Sequence, residues 1–275
     1  MSLPSFLTIT CGEAPLLVSL PHTGTEIPEE YVAGLVSPWL ARKDCDWWVE
    51  RLYDFAAGLG ATVIHTSISR TVIDVNRDPS GASLYPGQAT TELVPTTTFD
   101  GEPLYAPGRE PDSDSISRRK ALFFEPYHRA LADEIARLRA LHPHIVVYDC
   151  HSIRSVIPRL FEGTLPEFNI GTNGGVTCDP ALESAVAELC RASGRSTVVN
   201  GRFRGGFITR HNGRPADGVH AIQMELACRG YMREPVGPVD EASWPVAYDE
   251  AHAAPMRATL TRILEACIGF ARSKS

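Results

Sequence analysis

The strongest constraint on this fold is a short apolar run that ends in a polar segment carrying a histidine. Residues 145–148 are β-like and are followed at once by Asp149, Cys150 and His151. A second apolar run, residues 16–20, leads in the same way to His22. Open α/β sheets bind their ligands at the carboxyl ends of strands, so these two ends are expected to meet at one site. The pattern favours a metal centre.

Strand-like and helix-like runs alternate along the whole chain, which is typical of an α/β fold with a mixed β-sheet flanked by helices. At 275 residues with 43% hydrophobic content, the chain is expected to fold as a single domain over residues 1–275. Strands are predicted at residues 6–10, 16–20, 61–68, 71–75, 145–148, 169–171, 197–200 and 220–226. Helices are predicted at residues 44–58, 115–141, 180–192 and 246–272.

Several local signals refine this prediction. Asp179 is a plausible N-cap for the helix at 180–192. Pro126 is expected to bend or split the helix at 115–141. Two long segments, residues 78–114 and 201–218, are rich in turn residues and are interpreted as functional loops.

Charge and composition exclude several classes of protein. The formal net charge of −7, with no basic block longer than residues 118–120, argues against a nucleic-acid partner. The first residues lack a signal-peptide pattern and no segment approaches the ~18 apolar residues of a membrane helix, so a cytoplasmic protein without membrane contact is expected. Seven scattered cysteines without a C-x-x-C pair are interpreted as small buried hydrophobes.

Charged residues within apolar segments give a second set of candidates. Glu225 interrupts an apolar run, and burying a lone carboxylate costs several kcal/mol unless a partner or a function compensates. In the segment 69–77, strand alternation would place Arg70, Asp74 and Asn76 on one side. Asn76 beside Arg77 would make a clamp for a carboxylate, because an amide donor adjoins a guanidinium fork.

Six segments resemble, in order and context, those of the N-formylglutamate amidohydrolases, and the resemblance spans about residues 15–235. It implies a fold related to zinc carboxypeptidases and aspartoacylases, one zinc ion, and hydrolysis of N-formyl-L-glutamate to formate and L-glutamate late in histidine breakdown. Single motifs such as Pro-His-x-Gly are weak, but their ordered combination is specific. The segments are residues 18–24, 46–53, 69–77, 148–152, 200–206 and 223–225.

The resemblance also implies a ligand set for the zinc. His22 and His151 would be two ligands, and a carboxylate the third. The related carboxypeptidases use a His-x-x-Glu pair, but position 25 is Thr25 and the nearest glutamate is Glu26. The formylglutamate family favours Asp46 instead, and Glu26 remains the alternative. Manganese, cobalt and iron remain open in place of zinc.

Roles in catalysis follow from the same resemblance. Glu225 would act as general base and Arg70 would stabilise the oxyanion, while Asn76 and Arg77 would hold the α-carboxylate. Asp149 is either an outer partner of His151 or a helix cap.

The substrate would be a small molecule with two carboxylates, so a further cation is needed for the second one. Charge matching alone assigns it to the loop of Arg202, Arg204, Arg210 and His211, with Arg204 or Arg210 preferred.

Other functions are compatible with parts of the same pattern. Within the enzyme class, the alternatives are a deacylase of another N-acyl amino acid and a carboxypeptidase-like peptidase. A catalytically silent binding protein of the same fold would have lost a ligand or the base, and neither has been lost here. The sequence predicts no oligomeric state.

Overall fold

The architecture is a single mixed sheet with helices on both faces. The computed structural model describes residues 3–83 and 87–274. Within these residues the sheet has seven strands, in the order β1-β3-β2-β4-β7-β5-β6. The strands β1 to β7 are Leu7–Thr10, Leu16–Leu20, Thr62–Thr66, Ile145–Ile153, Phe168–Gly171, Thr197–Val199 and Val219–Ala227.

The centre of the sheet is parallel. Strand β2 pairs in parallel with both β3 and β4, and β4 pairs in parallel with β7 over nine residues. Strand β1 is antiparallel to β3, and β5 is antiparallel to β7. This combination confirms the prediction of a mixed α/β sheet.

Seven α-helices are present in the described part of the chain. Helices α1 to α7 are Glu29–Val32, Val49–Leu52, Ser113–Arg119, Glu125–Leu141, Pro180–Ala192, Phe207–Asn212 and Glu250–Ser273. Helices α5 and α7 pack together, with α7 against β2 and β4, while α4 and α6 cover the other side of the central strands. These two sides are called the α7 face and the α4 face. None of the described helices is both long enough and apolar enough to cross a bilayer.

Alternation along the central strands separates apolar from functional side chains. On β4, Val146, Tyr148 and Cys150 belong to the apolar core of the α7 face. Ile145 and Val147 begin a row on the α4 face that continues into polar positions further along the strand. Successive strand residues point to opposite faces, so the polar half of this row opens onto the α4 face near the carboxyl end.

Two predicted elements were wrong. Residues 71–75 form turns and not a strand, because Asp74 Oδ1 accepts a hydrogen bond from the backbone N–H of Asn76 at 2.9 Å, a local bond that competes with a sheet ladder. The apolar Val72 and Ile73 are buried against the α4 face without strand pairing.

The long helix predicted at 44–58 is reduced to α2 and a 3-10 helix, Asp54–Leu59. Trp48, immediately before α2, has the left-handed backbone value φ 66°, which a continuous right-handed helix cannot contain. The residues before it instead turn inward, and the Asp46 N–H donates to the His22 carbonyl at 2.9 Å. This turn brings Asp46 to the site.

Other predicted elements need smaller changes. Asp179 caps α5 through a hydrogen bond from the Ala181 N–H. Helical structure continues through Pro126, because a π-helical turn, Lys120–Phe124, joins α3 to α4 just before this proline. The segment 201–218 contains α6 and a 3-10 helix, Pro215–Asp217, so it is more ordered than a loop. Six cysteines are buried as predicted, and Cys11 is exposed.

Candidate metal centre and substrate cavity

Three buried side chains converge where β2 and β4 approach their carboxyl ends. His22 follows β2, His151 lies in β4, and Asp46 lies in the turn before α2. His22 Nδ1 is 3.1 Å from His151 Nδ1, and Asp46 Oδ2 is 3.2 Å from His151 Nδ1 and 3.8 Å from His22 Nδ1. Ligand atoms of a tetrahedral zinc site are ~3.3 Å apart, given metal–ligand distances of ~2.0 Å. The three atoms have the spacing of such a site.

Each histidine is held from behind by a second carboxylate. His22 Nε2 lies 2.7 Å from Asp74 Oδ1, and His151 Nε2 lies 3.0 Å from Asp149 Oδ2. A carboxylate can only accept in these bonds, so both Nε2 atoms carry the proton. The two Nδ1 atoms therefore face each other across the site and can present their lone pairs to a metal ion, as in a carboxylate–histidine–metal arrangement.

This arrangement calls for a cation. The two Nδ1 atoms and Asp46 Oδ2 repel one another unless a proton or a metal ion lies between them. Asp46 Oδ1 is buried without a hydrogen-bond partner and lies 3.6 Å from Arg70 Nη1. The donor set, two imidazoles and one carboxylate, is that of catalytic zinc sites. The residues present therefore fit a divalent metal ion.

The two histidines differ in electrostatic environment. Burial and the nearby Arg70 lower the pKa of His22 to about 4. Burial also opposes a charge on His151, but Asp149 outweighs it and raises the pKa of that ring well above its usual value. Asp74 faces Arg70, at 2.7 Å, so its charge is partly neutralised. Without a metal ion, His151 is thus the ring that binds a proton more readily.

Glu225 lies beside this centre on the neighbouring strand. Residues 151 and 225 are directly paired in the parallel β4–β7 ladder, and strands in a ladder are ~4.8 Å apart. Gln223 Nε2 donates to Glu225 Oε2 at 3.3 Å. Burial raises the pKa of Glu225 to about 8. A buried carboxylate with a raised pKa next to a cavity is a candidate proton carrier.

A cavity opens directly onto these residues. Its wall includes the polar residues Arg70, Asn76 and Arg77 and the aromatic residues Phe99 and Phe203. Arg70 Nη2 donates to Asp74 Oδ2 at 2.7 Å, and its guanidinium carbon lies 4.8 Å from the Phe99 ring centroid. The described residues around the cavity are His22, Arg70, Asn76, Arg77, Ala89, Thr90, Thr91, Phe99, His151, Ile153, Leu160, Arg202, Phe203, Gly206, Gln223 and Glu225.

Asn76 and Arg77 line the cavity but also have partners within the protein. Asn76 Oδ1 accepts from the Ile208 N–H at 2.8 Å, which leaves Nδ2 to donate, and Asp149 Oδ2 lies 3.3 Å from it. Arg77 Nε and Nη2 donate to the carbonyl and hydroxyl of Thr91, at 3.0 and 3.1 Å. Both side chains are therefore fixed in place before a ligand binds.

The structure distinguishes among the cations of the segment 201–218. Arg202 lines the cavity, and its Nε and Nη2 donate to the carbonyls of Leu160 and Ala89, at 2.8 and 2.6 Å. Arg204, Arg210 and His211 are not part of the cavity wall, and the His211 ring stacks on Phe207. The structure thus brings Arg202 to the site, and not Arg204 or Arg210, which the sequence analysis preferred.

The remaining sequence alternatives can also be placed. Glu26 is exposed and accepts a hydrogen bond from Ser67, so Asp46 and not Glu26 completes the cluster. Asp149 lies inside β4 and bonds His151, so it is not a helix cap. The sequence did not predict that Asp74 is the hydrogen-bond partner of His22. Its spacing of four residues from Arg70 was the available signal, but the strand wrongly predicted at residues 71–75 obscured it.

Comparison with known proteins finds relatives that match nearly the whole chain. A family model described as N-formylglutamate amidohydrolase matches residues 14–232. A Pseudomonas aeruginosa protein named N-formylglutamate deformylase is 45% identical over 98% of both chains. A Pseudomonas putida protein of the same name is 43% identical over 94% of both chains.

The fold is similar to a solved structure as well. The crystal structure of N-formylglutamate amidohydrolase from Ralstonia eutropha JMP134 superposes with a TM-score of 0.81 at 22% identity, and the match covers 99% of this chain and 100% of that one. The extent of the family-model match and the two close relatives are decisive. The chain belongs to the N-formylglutamate amidohydrolase family.

Proposed function

We propose that this chain hydrolyses N-formyl-L-glutamate to formate and L-glutamate, as a metal-dependent deformylase acting in histidine breakdown. The observation that carries the proposal is the cluster of His22, Asp46 and His151 beside a cavity that His22, His151 and Glu225 line. The names of the two Pseudomonas relatives supply the substrate.

The metal would be held by His22 Nδ1, His151 Nδ1 and Asp46 Oδ2, and zinc is the ion we expect there. When bound, it would supply Lewis-acid polarisation of the formyl group and activation of water. Asp74 and Asp149 would keep the two imidazole rings in the required tautomer.

Glu225 would carry the proton. Its carboxylate would accept a proton from the attacking water and return it to the amide nitrogen as the C–N bond breaks, which yields formate and the amine of glutamate. Burial raises the pKa of Glu225, whereas positive charge held by the nearby ligand atoms would lower it. That charge would therefore favour the ionised carboxylate, which is the form that accepts the proton.

Arg70 would stabilise the oxyanion that develops on the formyl oxygen. Its guanidinium faces the cavity and is held by Asp74 on one side and by the Phe99 ring on the other. A donor fixed before the reaction needs little reorganisation as charge develops.

Two sets of hydrogen-bond donors would hold the two carboxylates of the substrate. Asn76 Nδ2 and Arg77, which both line the cavity, would bind the α-carboxylate. Arg202 would bind the γ-carboxylate, since among the candidate cations Arg202, Arg204, Arg210 and His211 it is the one in the described cavity wall.

The experiment is release of formate from N-formyl-L-glutamate by the purified protein, before and after treatment with a chelator. We expect turnover that stops when the metal is removed and returns with zinc. N-acetylglutamate and N-formylmethionine separate the rival deacylases, because the first changes the acyl group and the second removes the γ-carboxylate. Equal turnover of all three substrates would contradict the proposal.

His22→Ala and His151→Ala should each lose the metal and the activity while keeping the fold. Asp133→Asn, an exposed site on α4, is the matched control. A full equivalent of zinc in both histidine variants would refute the ligand assignment.

A further inference from the structure

A buried chain of hydroxyl groups extends behind the candidate metal centre. The Tyr127 hydroxyl of α4 lies 2.9 Å from Ser19 Oγ on β2, and Ser19 Oγ lies 3.0 Å from Asp149 Oδ1 on β4. Asp149 Oδ2 in turn accepts from His151 Nε2. Tyr127, Ser19 and Asp149 are fully buried, and none of them lines the cavity.

The direction of every bond in this chain is determined. A carboxylate only accepts, so Ser19 must donate its one hydroxyl proton to Asp149. Ser19 Oγ can then only accept from Tyr127, whose hydroxyl is the donor. All protons point toward Asp149, whose second oxygen receives the proton of His151 Nε2. His151 Nδ1 is thereby directed at the site.

The polar chain is unusual for its position. Ser19 lies on the α4 face of β2, where the preceding residue on that face, Leu17, belongs to the apolar core. A buried hydroxyl costs free energy unless it is hydrogen-bonded, and an apolar side chain would fill this position at lower cost. Packing alone therefore does not account for two adjoining buried hydroxyls that both lead to one carboxylate.

We propose that Ser19 and Tyr127 are positioning residues for the metal ligand His151, acting through Asp149. This inference rests on the proposed metal site. The two hydroxyls hold Asp149 in a single orientation, as the Arg70 guanidinium does for Asp74. His151 then presents Nδ1 to the ion in a fixed orientation.

The test measures the zinc dissociation constant by competition with a fluorescent chelator, on metal-free protein whose unfolding is followed in parallel. Loss of an outer partner of a ligand weakens metal binding ~10- to 100-fold. Ser19→Ala removes the direct donor and should raise the zinc dissociation constant about 10-fold. Tyr127→Phe removes only the first bond of the chain and should raise it about 3-fold.

The double variant gives the sharper result. If Tyr127 acts only through Ser19, then Tyr127→Phe should have no further effect on zinc affinity once Ser19 is alanine. Tyr148→Phe is the matched control, since it removes a buried phenol hydroxyl from the opposite face of β4. It should leave zinc affinity unchanged. Tyr127→Phe preserves packing, so it carries the test if Ser19→Ala fails to fold.

The outcomes separate the two levels of inference. A wild-type protein that binds no zinc would refute the proposed metal site and the positioning role with it. A wild type that binds zinc, with both single variants within twofold of it, would refute the positioning role alone. Additive effects in the double variant, or an equal loss in Tyr148→Phe, would also overturn it.

Discussion

Asp74→Asn is the substitution that tests most directly how the centre is held together. Asp74 is fully buried and accepts from His22 Nε2 at 2.7 Å, from Arg70 Nη2 at 2.7 Å and from the Asn76 N–H at 2.9 Å. An asparagine has nearly the same shape but only one accepting oxygen. Its NH₂ group must therefore face a donor, either the ring of His22 or the guanidinium of Arg70.

The magnitude follows from these contacts. Breaking a buried ion pair by removing one partner costs about 3 to 5 kcal/mol of unfolding free energy. Arg70 keeps Asp46 Oδ1 at 3.6 Å and the Phe99 ring, so we expect the lower end, about 3 kcal/mol. Loss of the partner of His22 should also weaken zinc binding ~10- to 100-fold.

Two measurements check the prediction. Urea unfolding of metal-free protein gives the stability change, and chelator competition gives the change in zinc affinity. Asp133→Asn, which makes the same chemical change at an exposed position on α4, should leave both quantities unchanged. An Asp74→Asn protein within 1 kcal/mol of the wild type, with unaltered zinc affinity, would refute the reasoning that Asp74 organises the site.

Three further predictions concern catalysis, specificity and pH. Glu225→Gln should lower the rate of formate release by ~10² to 10⁴ while zinc stays bound, and near-normal turnover would move the base elsewhere. Arg202→Gln should reduce use of N-formylglutamate about 10- to 100-fold and spare N-formylmethionine, whereas Arg204→Gln should change neither; the reverse result would restore the assignment made from sequence. Burial lowers the pKa of His128 to about 4, so the unfolded chain binds a proton there first as pH falls below ~6.5. Stability should then fall by about 2 kcal/mol more between pH 7 and pH 5 in the wild type than in His128→Gln, as measured by urea unfolding at each pH.

The sequence was most informative where periodicity and function coincide. The strand containing Asp149 and His151 was predicted from its apolar start, although the strand continues through the polar residues to Ile153. The hydrophobic pattern could not predict this extension, because the polar residues at the end of the strand resemble a loop unless the face that carries the site is known. Glu225 was found from the sequence because a carboxylate within an apolar run is unusual, and the structure places it in a buried strand.

The parts that were missed depend on contacts between distant segments. The turn containing Asp74 reads as a strand from its β-branched residues, and only the burial of Val72 and Ile73 against the α4 face shows that no ladder is needed. Arg202 could not be ranked above Arg204, because the choice depends on which carbonyls lie near each guanidinium. Local pattern carries no information of this kind.

The pairing of residues 151 and 225 has a consequence for how the site assembles during folding. Their separation is set by the main-chain ladder of the two central strands, so it is complete as soon as the sheet forms. His22 and Asp46 arrive on irregular segments joined to each other by a backbone hydrogen bond. Hydrogen exchange in the metal-free protein should therefore be slow along the ladder and faster in those two segments. A metal ion would then bind late in folding. It would hold the two segments of His22 and Asp46 against the ladder that carries His151 and Glu225.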